Sequence, residues 1–133
     1  MSMDLGYGYK RTVEGSLEGV EPRVREALAA EGFGILTEID VRDTLKQKLD
    51  VDFRPYTILG ACNPPLAHQA LSAEIDIGLL LPCNVVVYEG EEPGKTVVAA
   101  LDAVQQLGVT GREDMRDLAG QVMERLQRAL DSL

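Results

Sequence analysis

The chain has 133 residues, enough for one domain whose core needs neither disulfides nor metal as staples. Hydrophobic residues make up 45%, charged residues 26%, and the net charge is −9, which reads as soluble and globular. That acidity leaves nucleic acid and anionic membranes as unfavoured partners, since both are held by Lys and Arg.

The first element is "YGYKRTV" (7–13), rich in Tyr, Thr and Val and expected as a strand. Ser16 can cap the helix that follows, in which Leu17, Val20, Val24 and Leu28 recur at helical spacing beside Ala27. Pro22 favours a helix start near Val20, because a proline is tolerated only in the first turn. Gly32 is the expected stop. "FGILTEID" (33–40) is a second strand, and Asp40 caps a short helix with Val41, Leu45 and Leu49 on one face. "RPYTILGAC" (54–62) is a third strand. Asn63 then caps a helix that opens with Pro64, with Leu66, Ala67, Ala70 and Leu71 as its apolar side.

"EIDIGLLLPCNVVVYEG" (74–90) is too rich in Leu and Val for a solvated loop, and divides at Pro82–Asn84 into two expected strands. "EEPG" (91–94) is turn chemistry, and "KTVVAALDA" (95–103) pairs back as a hairpin. Thr110 and Glu113 have capping-box spacing ahead of a long helix. Its stripe is Met115, Leu118, Val122, Leu126, Ala129, Leu130 and Leu133. Strands arrive in blocks rather than in strict alternation with helices. The expected class is therefore α+β, a single mainly antiparallel sheet with helices on one face, occupying residues 1–133 as one domain with its core over about 7–131.

The stretch with most chemistry is "GACNPPLAHQAL" (60–71). A thiol at Cys62, just before a helix N-terminus, would meet the positive end of the dipole and free first-turn N–H groups, which favour thiolate. The competing reading is a small buried hydrophobe at a strand end. Cys83 has a similar setting, and two strand-end cysteines could converge at one edge of the sheet. Cys62, Cys83 and His68, the sole histidine, form a conceivable metal set, although 21 residues between the cysteines is no ligand signature. Asn63 and the first-turn amides could hold a small anion. Phosphate-loop and dinucleotide motifs are absent. No base can be placed beside a thiol except Glu74 and Asp76, by nearness in sequence alone, so binding is expected ahead of catalysis.

The longest apolar stretches, such as "GLLLPCNVVVY", fall short of a bilayer span, and the N-terminus lacks the apolar run of a signal peptide. Two cysteines make no disulfide framework, so the cytoplasm is the expected compartment.

The run from "GFGILTEIDV" through "YTILGACNPPLAHQAL" to "GLLLPCNVVVYE" resembles the family known as domain of unknown function 302, over roughly residues 7–131. "GACNP" and "LLPCNVVVYE" are the most specific pieces. The chain departs at Asp102–Ala103, where the family often has Asp-Pro. The resemblance implies a curved antiparallel sheet with helices on one side, similar to one repeat of the TATA-box-binding-protein fold and often paired as a homodimer. It also implies Cys62, Asn63, Pro64, Pro82, Cys83 and Asn84 as motif positions, and no activity.

Two functions follow. In one, a homodimer binds a small ligand, anion, soft metal or sulfur species around Cys62, Asn63, Pro64, His68, Cys83 and Asn84. In the other, the cysteines are core packing, and an apolar sheet face or edge serves a structural or protein-interaction role.

Overall fold

The computed structural model describes residues 2–133, with side chains from residue 5 onward. The elements run in chain order as β1 (Ser2–Asp4), β2 (Gly8–Glu14), α1 (Leu17–Ala30), β3 (Gly34–Asp40), α2 (Val41–Leu49), β4 (Tyr56–Cys62) and α3 (Pro64–Ala73). A 3-10 helix (Ile75–Leu80) follows, then β5 (Cys83–Glu89), β6 (Lys95–Leu101), α4 (Ala103–Gly108) and α5 (Asp114–Asp131). All six strands join one antiparallel sheet in the order β1-β2-β6-β5-β4-β3. This is the expected α+β architecture.

Alternation along the strands sorts the two faces of the sheet. Val13, Thr57, Leu59, Ala61, Val85, Val87, Thr96, Val98 and Ala100 are buried beneath α1 and α5. The helices answer with Val20, Val24 and Leu28 from α1, and with Met115, Leu118, Val122, Leu126 and Leu130 from α5. The stripe expected of the last helix is thus the one that is buried, except that Leu133 lies beyond the helix end and packs at the core's margin. Helix α1 must carry the chain from β2 to the far edge strand β3, and so crosses over β5 and β6.

Helix α1 begins at Leu17, not near Val20. The Gly19 N–H donates to Ser16 Oγ at 3.2 Å, and that cap sets the start, leaving Pro22 inside the helix on its exposed side. Gly32 ends it as expected, at φ +87°. The Phe33 N–H reaches the Leu28 carbonyl and the Gly32 N–H the Ala29 carbonyl, a Schellman arrangement.

Three further expectations are corrected. Residues 75–80 form a 3-10 helix, not a strand. Both neighbours of β5 are already taken by β4 and β6, and only Ile77 of this stretch is buried, while Ile75 and Leu79 are exposed. The "KTVVAALDA" strand stops at Leu101, because Asp102 Oδ1 accepts from the Val104 and Gln105 N–H groups and starts α4. The Thr110–Glu113 capping box does not form. Thr110 Oγ1 instead donates to the Leu107 carbonyl and accepts from the Arg112 N–H, closing α4 rather than opening α5.

Candidate functional site

The site sits where β4 hands the chain to α3. Gly60 is required there, because a Cβ would collide with Thr37 Oγ1 from β3 and lie 2.8 Å from Pro82 Cγ. Ala61 pairs with Cys83 across β4 and β5, so Cys62 stands one step along from Cys83. Asn63 is buried, and both ends of its amide are bonded. Its Oδ1 accepts from the Leu66 N–H at 3.3 Å, and its Nδ2 donates to the Glu31 carbonyl at 3.4 Å. Arg125 donates to the same carbonyl at 3.1 Å. The end of α1, the start of α3 and the middle of α5 are thereby tied at one oxygen.

Cys62 and Cys83 line a single cavity of about 30 Å³. Its other walls include Phe33, Leu66, Leu81, Pro82, Leu118 and Val122. By the same measure of volume, one water needs about 10–15 Å³. Both thiols are free. Burial pushes the Cys62 thiol above its ordinary value. It pushes Cys83 up to about 11, with the neighbouring charge of Cys62 adding to the effect.

This overturns the expectation of a thiolate favoured by the helix N-terminus. Pro64 and Pro65 have no N–H, the Leu66 N–H is held by Asn63 Oδ1, and the Ala67 N–H by the Asn63 carbonyl. The first turn has no donor left for a thiolate or an anion, and desolvation decides the thiol chemistry. The anion reading of Asn63 and its amides falls for the same reason.

The other candidates separate. His68 is exposed on α3 and does not line the cavity. Among the described residues, no group of three His, Cys, Asp or Glu side chains is placed to hold a metal, so the Cys62–His68–Cys83 set is not assembled. Pro64 is exposed at the first turn. Asn84 lies on the opposite face of the sheet, with Val86 and Tyr88. Glu74 is held by Arg112 at 2.9 Å and Asp76 is exposed, and neither lines the cavity beside Cys62.

The sequence offers an apolar sheet face, on the Val- and Leu-dense stretches 79–87 and 97–101, without assigning its residues; strand register assigns those on the side away from α1 and α5. Register places Ile39, Ile58, Val86 and Ala99 in one cross-strand row, with Lys10 at its end. The next row holds Tyr56, Tyr88 and Val97, the two rings stacked at 5.1 Å between centroids. A groove of about 270 Å³ passes over this face, lined by Tyr7, Tyr56, Tyr88 and Val86. Burial, then Tyr88 and Tyr7, raise the Tyr56 phenol above its ordinary value.

The family described as Domain of unknown function DUF302 matches over residues 9–133. The crystal structure of an uncharacterized conserved DUF302 protein from Bacillus stearothermophilus is 31% identical. The match covers 94% of this chain and 96% of that one, with a TM-score of 0.85. No curated protein matches the chain. No helix among the described residues is long and apolar enough to cross a membrane.

Proposed function

The chain belongs to the DUF302 family, and from that premise we propose that it is a protein-interaction module whose open sheet face pairs with a second copy. The observation that carries this is the chemistry of that face. In a chain with 22 Asp and Glu residues, the only carboxylate on the open face of β2 to β6 is Glu14, at one end. It is neutralised by Lys95 at 2.9 Å. Every other acidic side chain of these strands sits on the helix face or in turns, so two copies can approach here without facing carboxylates.

The area suffices. Five strands of seven residues, about 4.8 Å apart with about 3.3 Å per residue, give a face of roughly 550 Å². Two such faces bury about 1,100 Å², which clears the roughly 1,000 Å² a biological interface needs and sits at the small end of the scale. Phe53, tilted against Tyr56 at 6.1 Å, extends the apolar surface past the strand end. A two-fold axis would make the contact self-complementary. Two free thiols suit a reducing compartment, and the proposal places the dimer in the cytoplasm, with nucleic acid and membrane excluded as partners by charge.

Sedimentation tests it. The wild type should run as a dimer at micromolar concentration, and Val86→Lys should run as a folded monomer, because the axis would bring two ammonium groups together. A wild type that stays monomeric throughout defeats the idea.

A second reading has its own observation, the two thiols on one cavity. A small ligand, soft metal or sulfur species bound there would raise the melting temperature in a Cys62-dependent way. Loss of that shift in Cys62→Ser is the expected check, and a shift that survives the substitution counts against the reading.

A further inference from the structure

Three features narrow what the cysteine cavity could hold. Its size, about 30 Å³, leaves room for an ion. Its polar lining is poor: Cys62 and Cys83 contribute sulfur, Asn63 is committed to Leu66 and Glu31, and no His, Asp or Glu reaches it. The two cysteines lie one register step apart on hydrogen-bonded strands, which spaces their Cα atoms by about 6 Å.

We propose that Cys62 and Cys83 form a two-coordinate site for a soft monovalent cation of the copper(I) class. This rests on the reading of the cavity as a ligand site and names its occupant. Hard cations need oxygen donors, which are not there. Structural zinc needs four ligands, and only two sulfur atoms are present. A closed-shell monovalent ion accepts two thiolates in a line, with sulfur atoms about 4.5 Å apart, twice a metal–thiolate bond. On binding, two S–H bonds break and two S–Cu bonds form. Both protons leave to solvent, and copper stays in the +1 state, so no oxidant or reductant is consumed. The monovalent ion also reduces two buried negative charges to one. The walls of Leu66, Leu118 and Val122 would keep water from the ion.

Strand alternation alone would send Cys62 and Cys83 to opposite faces of the sheet. Cys62 is the last residue of β4, where the chain leaves the sheet for α3, and it reaches the same cavity as Cys83. The site is therefore a product of the strand ending at that residue.

The test uses the reduced, metal-free full chain under anaerobic conditions, with copper(I) alone supplied in competition with a chromophoric copper(I) chelator. One ion per chain should be retained, excess zinc(II) should not displace it, and X-ray absorption should report two sulfur neighbours. Cys62→Ser should lose retention while keeping the wild-type circular dichroism. Cys83→Ala, checked in the same way for folding, should lose it too. No retention by the wild type, retention unchanged in Cys62→Ser, or a sulfur count above two would each overturn the assignment. Dissolved hydrogen sulfide, as a neutral probe in a parallel melting experiment, separates the two levels. A Cys62-dependent rise with sulfide but no copper retention removes the copper site and leaves the cavity a ligand site. Failure of both probes removes both.

Discussion

Alkaline pH should destabilise this chain through one buried thiol, and Cys83→Ala should remove that effect. In the folded chain Cys83 keeps its proton up to about 11, against an ordinary value of 9.0, because it is buried and stands beside Cys62. Below pH 9 the thiol is protonated in both states, and the stability this difference provides is fully present. Between pH 9 and 11 the unfolded chain ionises first, so stability is lost as pH rises through the folded value. At about 1.4 kcal/mol per pH unit, levelling off as the folded thiol itself ionises, the loss reaches about 2 kcal/mol by pH 11. Tyrosines and lysines titrate over the same range, so the quantity to measure is a difference. Urea unfolding, followed by circular dichroism from pH 8 to 11, gives the stability of the wild type and of Cys83→Ala. Their gap should move by about 2 kcal/mol in favour of the variant. Cys62 shifts in the same direction from burial, but it is present in both proteins and cancels from the gap. A gap that stays constant across the range would mean that the Cys83 thiol is solvated and the burial argument is wrong.

Alkylation should follow the same burial: Cys62 reacts first in the folded chain, and Cys83 only once urea opens it, as mass spectrometry of timed samples would show. Gly60→Ala should cost about 1–3 kcal/mol in urea unfolding, since its Cβ meets Thr37 and Pro82; stability equal to the wild type would refute that packing. Asn63→Ala removes the α3 cap and the tie to Glu31, and should cost about 1–2 kcal/mol by thermal unfolding. Leu126→Ala, at a site with no exposure, should cost about 2–5 kcal/mol by the same measurement.

Candidate site residues were partly legible. Cys62, Asn63, Pro82 and Cys83 were identifiable because strand ends and a capping Asn leave marks in sequence, and the structure gathers them. Loss of the anion reading was legible too, in Pro65. A second proline after Pro64 removes the other unbonded donor, and the cap consumes the next. His68 and Asn84 could not be assigned from sequence, because nearness along the chain says little about which face a side chain takes. The cavity walls from Phe33, Leu118 and Val122 come from elements far away in sequence, and only packing brings them to the cysteines.

Local periodicity and capping were enough for the helices α1, α2, α3 and most of α5, for five of the strands, and for the α+β class, because those signals act over a few residues. The path of "EIDIGLLL" was undetermined at that level: its Leu and Ile fit a strand or a 3-10 turn equally, and the sheet had no vacant neighbour for it beside β5. Likewise the hydroxyl of Thr110 had two carbonyl and amide partners within reach, and the end of α4 claimed it. Which strand lies beside which, which face is left bare, and that two cysteines share a wall are decided by long-range pairing, where burial of the common core outweighs local preference.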